Sequence, residues 1–332
     1  MALGQRGFLR VFLLLLLLLI GAAGYAAYEI DRRLSAEGAF DQSAVVWVQK
    51  GQSLKSVALE LEQSGLVEDA ELFYYYGRAT GLAEGLRAGE FEIEANSSVK
   101  TIAETLREAD PLLRFVTVPE GRTVSQALRI VSDAPVLEGE ITITPDEGDL
   151  LPETYAYERG ESRDAVIRRM MQAHDDLLAE LWPGRAEDLP FDTAEEAVIL
   201  ASIVEKETAV PDERPQVAAV FVNRLRRGMR LQSDPTIIYG ITGGEPLGRG
   251  IRQSELDNTE NLYNTYRING LPPTPIANPG RESIAAVLNP AQTNDLYFVA
   301  DGTGGHVFAS TLREHNQNVA RWRRIEQSRK TQ

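Results

Sequence analysis

Eighteen uncharged residues from Val11 to Tyr28, opening on an almost pure Leu stretch, constrain this chain more than anything else in it. As a helix rising about 1.5 Å per residue the run spans about 27 Å, close to the hydrocarbon thickness of a bilayer. Arg6, Arg10 and the amino terminus precede it, while Glu29 and Asp31 follow it ahead of Arg32 and Arg33. The positive-inside bias therefore places residues 1–10 in the cytoplasm, a transmembrane helix at 11–28 and everything beyond about residue 30 outside. A cleaved leader is the alternative, because Ala and Gly crowd residues 21–27 as they do at small-residue cleavage sites.

The remainder of the 332 residues is long enough for two modest domains, and at 43% hydrophobic it can give each a core. Lys and Arg total 34 against 49 Asp and Glu, a formal balance of -15 that leaves no broad cationic surface. Nucleic acid is thereby disfavoured as a partner. The chain has no Cys, which removes disulfides, thiolate catalysis, iron–sulfur clusters and Cys-ligated zinc together.

Residues 29–44 are polar and weakly patterned, as in a short stalk. From residue 45 a strand–turn–helix unit recurs. Val45 and Trp47 alternate, Ser53 caps, and Leu54, Val57, Ala58 and Leu61 form an i, i+3, i+4, i+7 stripe that Gly65 closes. Phe91 and Ile93, then Ser98, then Val99, Ile102, Ala103 and Leu106 repeat the plan. Phe115 and Val118, a Pro119-Glu120-Gly121 turn, Thr123, and Val124, Ala127, Leu128 and Val131 repeat it again. A further helix is predicted over Leu72–Tyr76. These units give a small α+β region at 45–135, and the Pro-, Gly- and acid-rich stretch Ser132–Asp149 reads as a connection or a poorly packed hairpin before a second domain at 150–332. There, helices are predicted at Ala165–Leu181, Thr193–Thr208 and Pro215–Arg227. A binding loop is expected over Gly240–Pro279, a hairpin around Asp301–Gly305, and a polar helix or frayed end from Arg313.

Thr193 with Glu196 three residues on makes a capping box, which fixes the phase of the helix it starts. Its apolar stripe runs through Ala197, Leu200, Ile203 and Val204 and arrives at Glu207. Burial and the negative end of a helix dipole both disfavour ionisation there, as a general acid near neutral pH requires. The competing reading is structural: Glu207 pairs with an arginine of the next helix, where Arg224, Arg226, Arg227 and Arg230 are plentiful. Glu205 falls off the stripe and reads as a solvated or Lys-paired side chain. Tyr239, Tyr263, Tyr266 and Tyr297, interleaved with Gln232, Asn264 and Asn269, have the composition of a sugar-binding cleft as readily as of a plain core. His174, His306 and His315 show no metal-ligand spacing, and Ser97-Ser98-Val99-Lys100 lacks the companion motifs of a Ser-x-x-Lys enzyme.

Several segments together resemble the YceG-like (MltG) family of endolytic murein transglycosylases. They are Ala201-Ser202-Ile203-Val204-Glu205-Lys206-Glu207-Thr208, Val220-Phe221-Val222-Asn223-Arg224-Leu225, Gln232-Ser233-Asp234-Pro235-Thr236 with Tyr239-Gly240, Tyr263-Asn264-Thr265-Tyr266, Asn278-Pro279-Gly280 and Gly304-Gly305-His306. Leu151-Pro152-Glu153-Thr154-Tyr155 matches the family's Pro-acid-Thr-aromatic segment. The resemblance runs in order through nearly the whole chain.

It implies an α+β protein of the bacterial inner membrane, with a single-pass N-terminal helix, a small LysM-like module next to the membrane and a larger mixed α+β catalytic domain in the periplasm. It implies cleavage of the bond between N-acetylmuramic acid and N-acetylglucosamine within peptidoglycan glycan strands, leaving a 1,6-anhydro end, in a protein that terminates nascent strands. No cofactor is implied. Wall-synthesis complexes, penicillin-binding proteins among them, are the implied protein partners. The family's catalytic glutamate falls on Glu207, and Gln232, Asp234, Tyr239, Asn264 and Tyr266 are expected to bind sugar or orient it. Should the reaction be hydrolysis instead, Glu153, Glu205 or Asp234 would have to supply a second carboxylate. A non-catalytic, membrane-tethered peptidoglycan-binding scaffold is the alternative function.

Overall fold

The computed structural model describes residues 5–330, a mixed α+β chain that divides into two compact units. The first contains residues up to Arg114 together with Glu158–Gly160; the second contains Phe115–Tyr157 and everything from Glu161 onward.

The first unit begins with helix α1, Gln5–Ser35, of which Gly7–Ser35 is long and apolar enough to cross a membrane. The helix continues without interruption through the first part of the expected stalk. Near its end Asp31 meets Lys100 at 2.6 Å and Arg33 meets Asp69 at 3.0 Å. Beyond it come β1 (Ala44–Val48), α2 (Leu54–Gln63), α3 (Ala70–Ala79), the short α4 (Leu82–Gly85), β2 (Gly89–Ile93) and α5 (Val99–Glu108). β1 and β2 pair antiparallel, from Ala44 opposite Ile93 to Val48 opposite Gly89. Ser53 and Ser98 cap α2 and α5 as their sequence positions predict, each accepting a backbone N–H of the first turn. The apolar stripes of these helices close on Phe73, Phe91 and Ile93 as one core. Glu90, 2% exposed, is buried beside it with Arg114 at 2.8 Å and Arg159 at 2.8 Å.

The second unit contains β3 (Arg114–Thr117, from Phe115 on), α6 (Val124–Asp133), β4 (Thr154–Tyr157), α7 (Arg163–Leu181), α8 (Ala194–Glu207), α9 (Arg214–Arg226), α10 (Asp234–Thr242), α11 (Gln253–Leu256), α12 (Arg281–Leu288), the hairpin β5 (Tyr297–Ala300) and β6 (His306–Ala309), and α13 (Leu312–Lys330). The division expected near 135–150 thus falls after Arg114. The third strand–turn–helix unit is the reason: β3 pairs with β4, and Val116, Val118, Ala127 and Val131 pack on Leu150, Tyr157, Ile167 and Met170. The acid-rich stretch after Ser132 lies inside this unit.

α8 carries the core of the second unit. Its Ala197, Leu200, Ala201 and Val204 pack against Val217, Phe221 and Val222 of α9 and Ile284, Val287 and Leu288 of α12. Ala197 through Val204 is buried at every position but Ile199, so α8 is enclosed nearly all round rather than on one stripe. Besides the single-turn α4 and α11, two longer helices lie where sequence patterning predicted none. α10 starts at Ser233-Asp234-Pro235, with Pro at its first turn, and stops at Gly243, whose φ of +65° is the left-handed cap glycine allows. α12 is only eight residues long and mostly buried, so it has no solvent face to give a period.

Candidate active site

Thr193 opens α8 with the reciprocal hydrogen bonds of a capping box, and the helix ends at Glu207, where Thr208 turns to extended backbone. Glu207 therefore sits at a helix C-terminus. Its carboxyl lies in a cleft of about 470 Å³ bordered by Arg224, Gln232, Asp234, Tyr266, Tyr297, Phe298, His315 and Asn316.

The loop between α9 and α10 supplies the one hydrogen bond on that carboxyl among the described residues: Ser233 Oγ donates to Glu207 Oε1 at 2.5 Å. Ser233 is 1% exposed, its N–H donates to Thr265 Oγ1 at 2.9 Å, and its carbonyl accepts from Thr236 Oγ1 at 2.7 Å. Next to it Gln232 has φ +53°, a left-handed conformation that costs a non-glycine residue about 1 kcal/mol, and its side chain is exposed in the cleft. Burial pushes the Glu207 carboxyl above its ordinary range; the Ser233 bond opposes this, the Asp234 charge reinforces it, and His306 and Arg224 act weakly against it.

The structural pairing with an arginine of the next helix is not what Glu207 makes. Among the described residues no ion pair includes it. Arg224, 8% exposed, spends Nε on Leu296 O at 2.7 Å and Nη1 on Leu231 O at 2.6 Å, with its guanidinium 5.4 Å from the Tyr297 ring centroid. Arg226 and Arg230 donate to the carbonyls of Asp188 and Tyr266.

The expected site residues separate into those that share the cleft and those that do not. Gln232, Asp234 and Tyr266 line it with Glu207, and Tyr266 Oη donates to Asp234 Oδ1 at 2.8 Å. Burial first, then the Asp234 carboxylate, raises the Tyr266 phenol well above its ordinary range, so it stays a donor. Asn264 is fully buried: its Nδ2 donates to Asn258 O at 2.7 Å and its Oδ1 accepts from Tyr266 N at 3.1 Å, so it shapes the turn that carries Tyr266. Tyr239 lies in a different cavity, donating to Glu147 Oε2 at 3.2 Å and packing edge-on against Tyr263. Glu153 is exposed, with its backbone carbonyl accepting from Val118 N.

Glu205 is neither solvated nor paired with lysine. Its carboxylate accepts from Ser283 Oγ at 2.6 Å and from Gly280 N at 3.1 Å, and lies 3.6 Å from Arg214. Because α8 is enclosed nearly all round, leaving the apolar stripe did not mean reaching water. It ties α8 to α12 rather than facing the cleft.

Ser233, Phe298 and Asn316 were not singled out from sequence, and Arg224 and His315 were weighed only as an ion-pair partner of Glu207 and as a metal ligand, not as cleft residues. Ser233 stood inside the Gln232-Ser233-Asp234-Pro235 segment, where as the residue just before a Pro-started helix it read as a cap and not as a site residue. His315 and Asn316 belong to α13, whose sequence is polar; the stack of His315 on Tyr297, ring centroids 5.1 Å apart, is a long-range contact no local pattern announces. Glu213 was also unforeseen: Oε1 accepts from His306 N and Oε2 faces His306 Nδ1, both at 2.7 Å, which fastens the β5–β6 hairpin beside the α8 terminus. Among the described residues no three His, Asp or Glu side chains converge as metal ligands would.

The model of the YceG-like family matches residues 46–321. An endolytic murein transglycosylase of Streptococcus pneumoniae (strain D39) is 28% identical over 357 aligned positions, which cover 92% of this chain and 64% of that protein. The chain thus spans less than two thirds of the pneumococcal relative. An endolytic murein transglycosylase of Bacillus subtilis (strain 168) is 28% identical over 302 positions, 81% of this chain and 82% of that protein. The crystal structure of a yceG-like protein from Listeria monocytogenes superposes with a TM-score of 0.50 at 28% identity, covering 83% of this chain and 99% of that one. With the family's own pattern running through residues 46–321 and relatives aligned over most of its length, the chain belongs to the YceG-like family.

Proposed function

We propose that this protein is a membrane-anchored endolytic murein transglycosylase in which Glu207 is the sole acid and base. The observation that carries this reading is a recessed carboxyl that among the described residues forms no ion pair and is held by the Ser233 hydroxyl, in a cleft of glycan-binding composition. The faces of Tyr266 and Tyr297 suit sugar rings, and Gln232 and Asn316 supply amides for hydroxyl and acetamido groups.

A glycosidase that hydrolyses needs two carboxyls, one as acid and one as base or nucleophile. A transglycosylase needs one, because the nucleophile belongs to the substrate. Protonated Glu207 donates to the glycosidic oxygen as the bond from that oxygen to muramoyl C1 breaks, and the N-acetylglucosamine leaves as an alcohol. The muramoyl N-acetyl group shares the positive charge left on C1. The C6 hydroxyl oxygen then bonds to C1 while its proton passes to the Glu207 carboxylate, which closes the 1,6-anhydro ring and restores the acid. Burial favours the protonated carboxyl that the first step needs, and the Ser233 hydroxyl steadies the anion in the second. Arg224 and the Glu213–His306 pair act as positioning groups.

Around this centre, the reading places residues 1–10 in the cytoplasm, residues 11–28 of α1 in the inner membrane, residues 45–114 as a LysM-like module and the second unit as the periplasmic catalytic domain. Cleaving within strands near the membrane suits termination of nascent glycan beside wall-synthesis proteins such as penicillin-binding proteins.

One observation favours a second reading. Asp234 is a carboxylate in the same cleft, so activation of a water by Asp234 would turn the enzyme into a hydrolase. Turnover of purified glycan strands by the full chain and by Glu207→Gln tests the assignment. Loss of products by a variant that still melts cooperatively and no lower than the wild type supports it, and full activity of the variant overturns it.

A further inference from the structure

A second cavity, of about 380 Å³, opens on the other side of the α10 N-terminus. Consecutive residues divide the two: Glu207 and Asp234 line the cleft, Lys206 and Pro235 the second cavity. Four charged side chains border it, and their pairing is uneven. Glu120 is bound to Arg214 at 3.1 Å and Glu245 is bound to Arg129. Among the described residues Arg122 and Lys206 form no ion pair, although Arg122 acts at longer range on Glu245 and Lys206 feels Glu205; Lys206 Nζ donates to Gly121 O at 3.2 Å.

These two cations stand on a fixed backbone. Buried Asn278 holds the turn that carries Arg122, its N–H and Nδ2 each donating to Arg122 O at 2.8 Å and its carbonyl accepting from Gly121 N at 2.9 Å. The Arg122 charge, after burial, also pushes the Lys206 ammonium below its ordinary range, so the two positive groups feel each other. In a chain with a formal charge of -15, two neighbouring cations whose bordering acids, Glu120 and Glu245, are each bound to another arginine, over Ile238 and Tyr239, form a site suited to an anion with an apolar part.

We propose that this cavity binds the carboxylates of the short acidic peptide stem borne by the muramoyl residue whose glycosidic bond lies at Glu207. The inference rests on the murein reading, in which the stem leaves the sugar at its lactyl group. A stem of four or five residues reaches about 13–18 Å when extended, while the dividing residues on either chain are only about 3.8 Å apart at Cα. The site thus makes the enzyme a reader of stem-bearing strands rather than of bare glycan.

The test compares stem-bearing strands with strands stripped by an amidase, using the full chain in detergent micelles. The wild type is expected to have the higher kcat/KM on stem-bearing strands. Arg122→Ala should lower that value by about three- to fivefold, leave stripped strands unchanged, and be rescued by Arg122→Lys, as suits one partly exposed charge contact. Equal rates on both substrates in the wild type, or an equal loss on both in Arg122→Ala, overturns the proposal. Binding of the free tetrapeptide stem, followed by NMR, is a readout that needs no turnover. If no strand is cleaved, the murein activity fails, yet stem binding that weakens in Arg122→Ala still supports the cavity and its absence refutes it.

Discussion

Removing the Ser233 hydroxyl is the sharpest probe of how Glu207 is tuned. Ser233→Ala deletes the hydrogen bond on the carboxyl and changes little else, because the Ser233 N–H and carbonyl bonds to Thr265 and Thr236 do not use Oγ. A hydrogen bond to a charged acceptor is worth about 1.5–3 kcal/mol, and about 1.4 kcal/mol is one tenfold step in an ionisation ratio. Glu207 keeps some contact with the open cleft, so the lower figure applies and the ionised form loses about tenfold. Glu207 must be protonated to act as the acid, so the rate falls on the alkaline side as it ionises. In Ser233→Ala that descending limb of kcat/KM against pH should move up by about one pH unit, while the maximal rate drops because the anion of the second step is less steadied. An unmoved limb, or one displaced to lower pH, would refute both the role of Ser233 and the identity of the titrating group.

Three stability measurements follow from buried charges. Glu207 has a raised carboxyl in the folded state, so wild type and Glu207→Gln should melt together at acid pH. The variant should gain on the wild type as pH rises through the folded value, because only the wild type must then ionise a buried group; a constant difference would contradict this. Glu205→Ala strands Arg214 with Glu120 alone and frees Ser283 and Gly280. It should cost about 2–3 kcal/mol and lower Tm by about 5–10 °C, and an unchanged Tm would show the pair to be idle. In the first unit, burial opposes ionisation of Glu90 but the bonds from Arg159 and Arg114 outweigh it and hold the carboxyl below its ordinary value. Its contribution is present above the ordinary carboxylate range and is lost as pH falls through the lowered value, so Glu90→Ala should destabilise by about 3 kcal/mol at neutral pH and by less in acid.

What sequence alone revealed was local. The caps at Ser53, Ser98, Thr123 and Thr193 and the stripes that follow them depend on residues three or four apart, and each appears where the pattern puts it. Long-range pairing was not legible. Nothing near Phe115 says that β3 will join β4 some forty residues on, and so the third repeat was assigned to the wrong unit. Glu205 was misjudged because a stripe has meaning only where the opposite face is wet, and α8 is not such a helix. The aromatic composition of Tyr239, Tyr263, Tyr266 and Tyr297 was read without knowing that the chain distributes them. Tyr266 and Tyr297 border the Glu207 cleft, while Tyr239 and Tyr263 pack on each other away from it.

The central claim is that one carboxyl suffices because the substrate supplies the nucleophile. Mass spectrometry of glycan products formed in oxygen-18 water measures this directly, with Glu207→Gln beside the wild type. The account predicts muramoyl ends lighter by one water and free of the label, from the wild type only. Reducing ends carrying oxygen-18 at C1 would contradict it and identify a water activated by a second group, with Asp234 the carboxylate placed to do so.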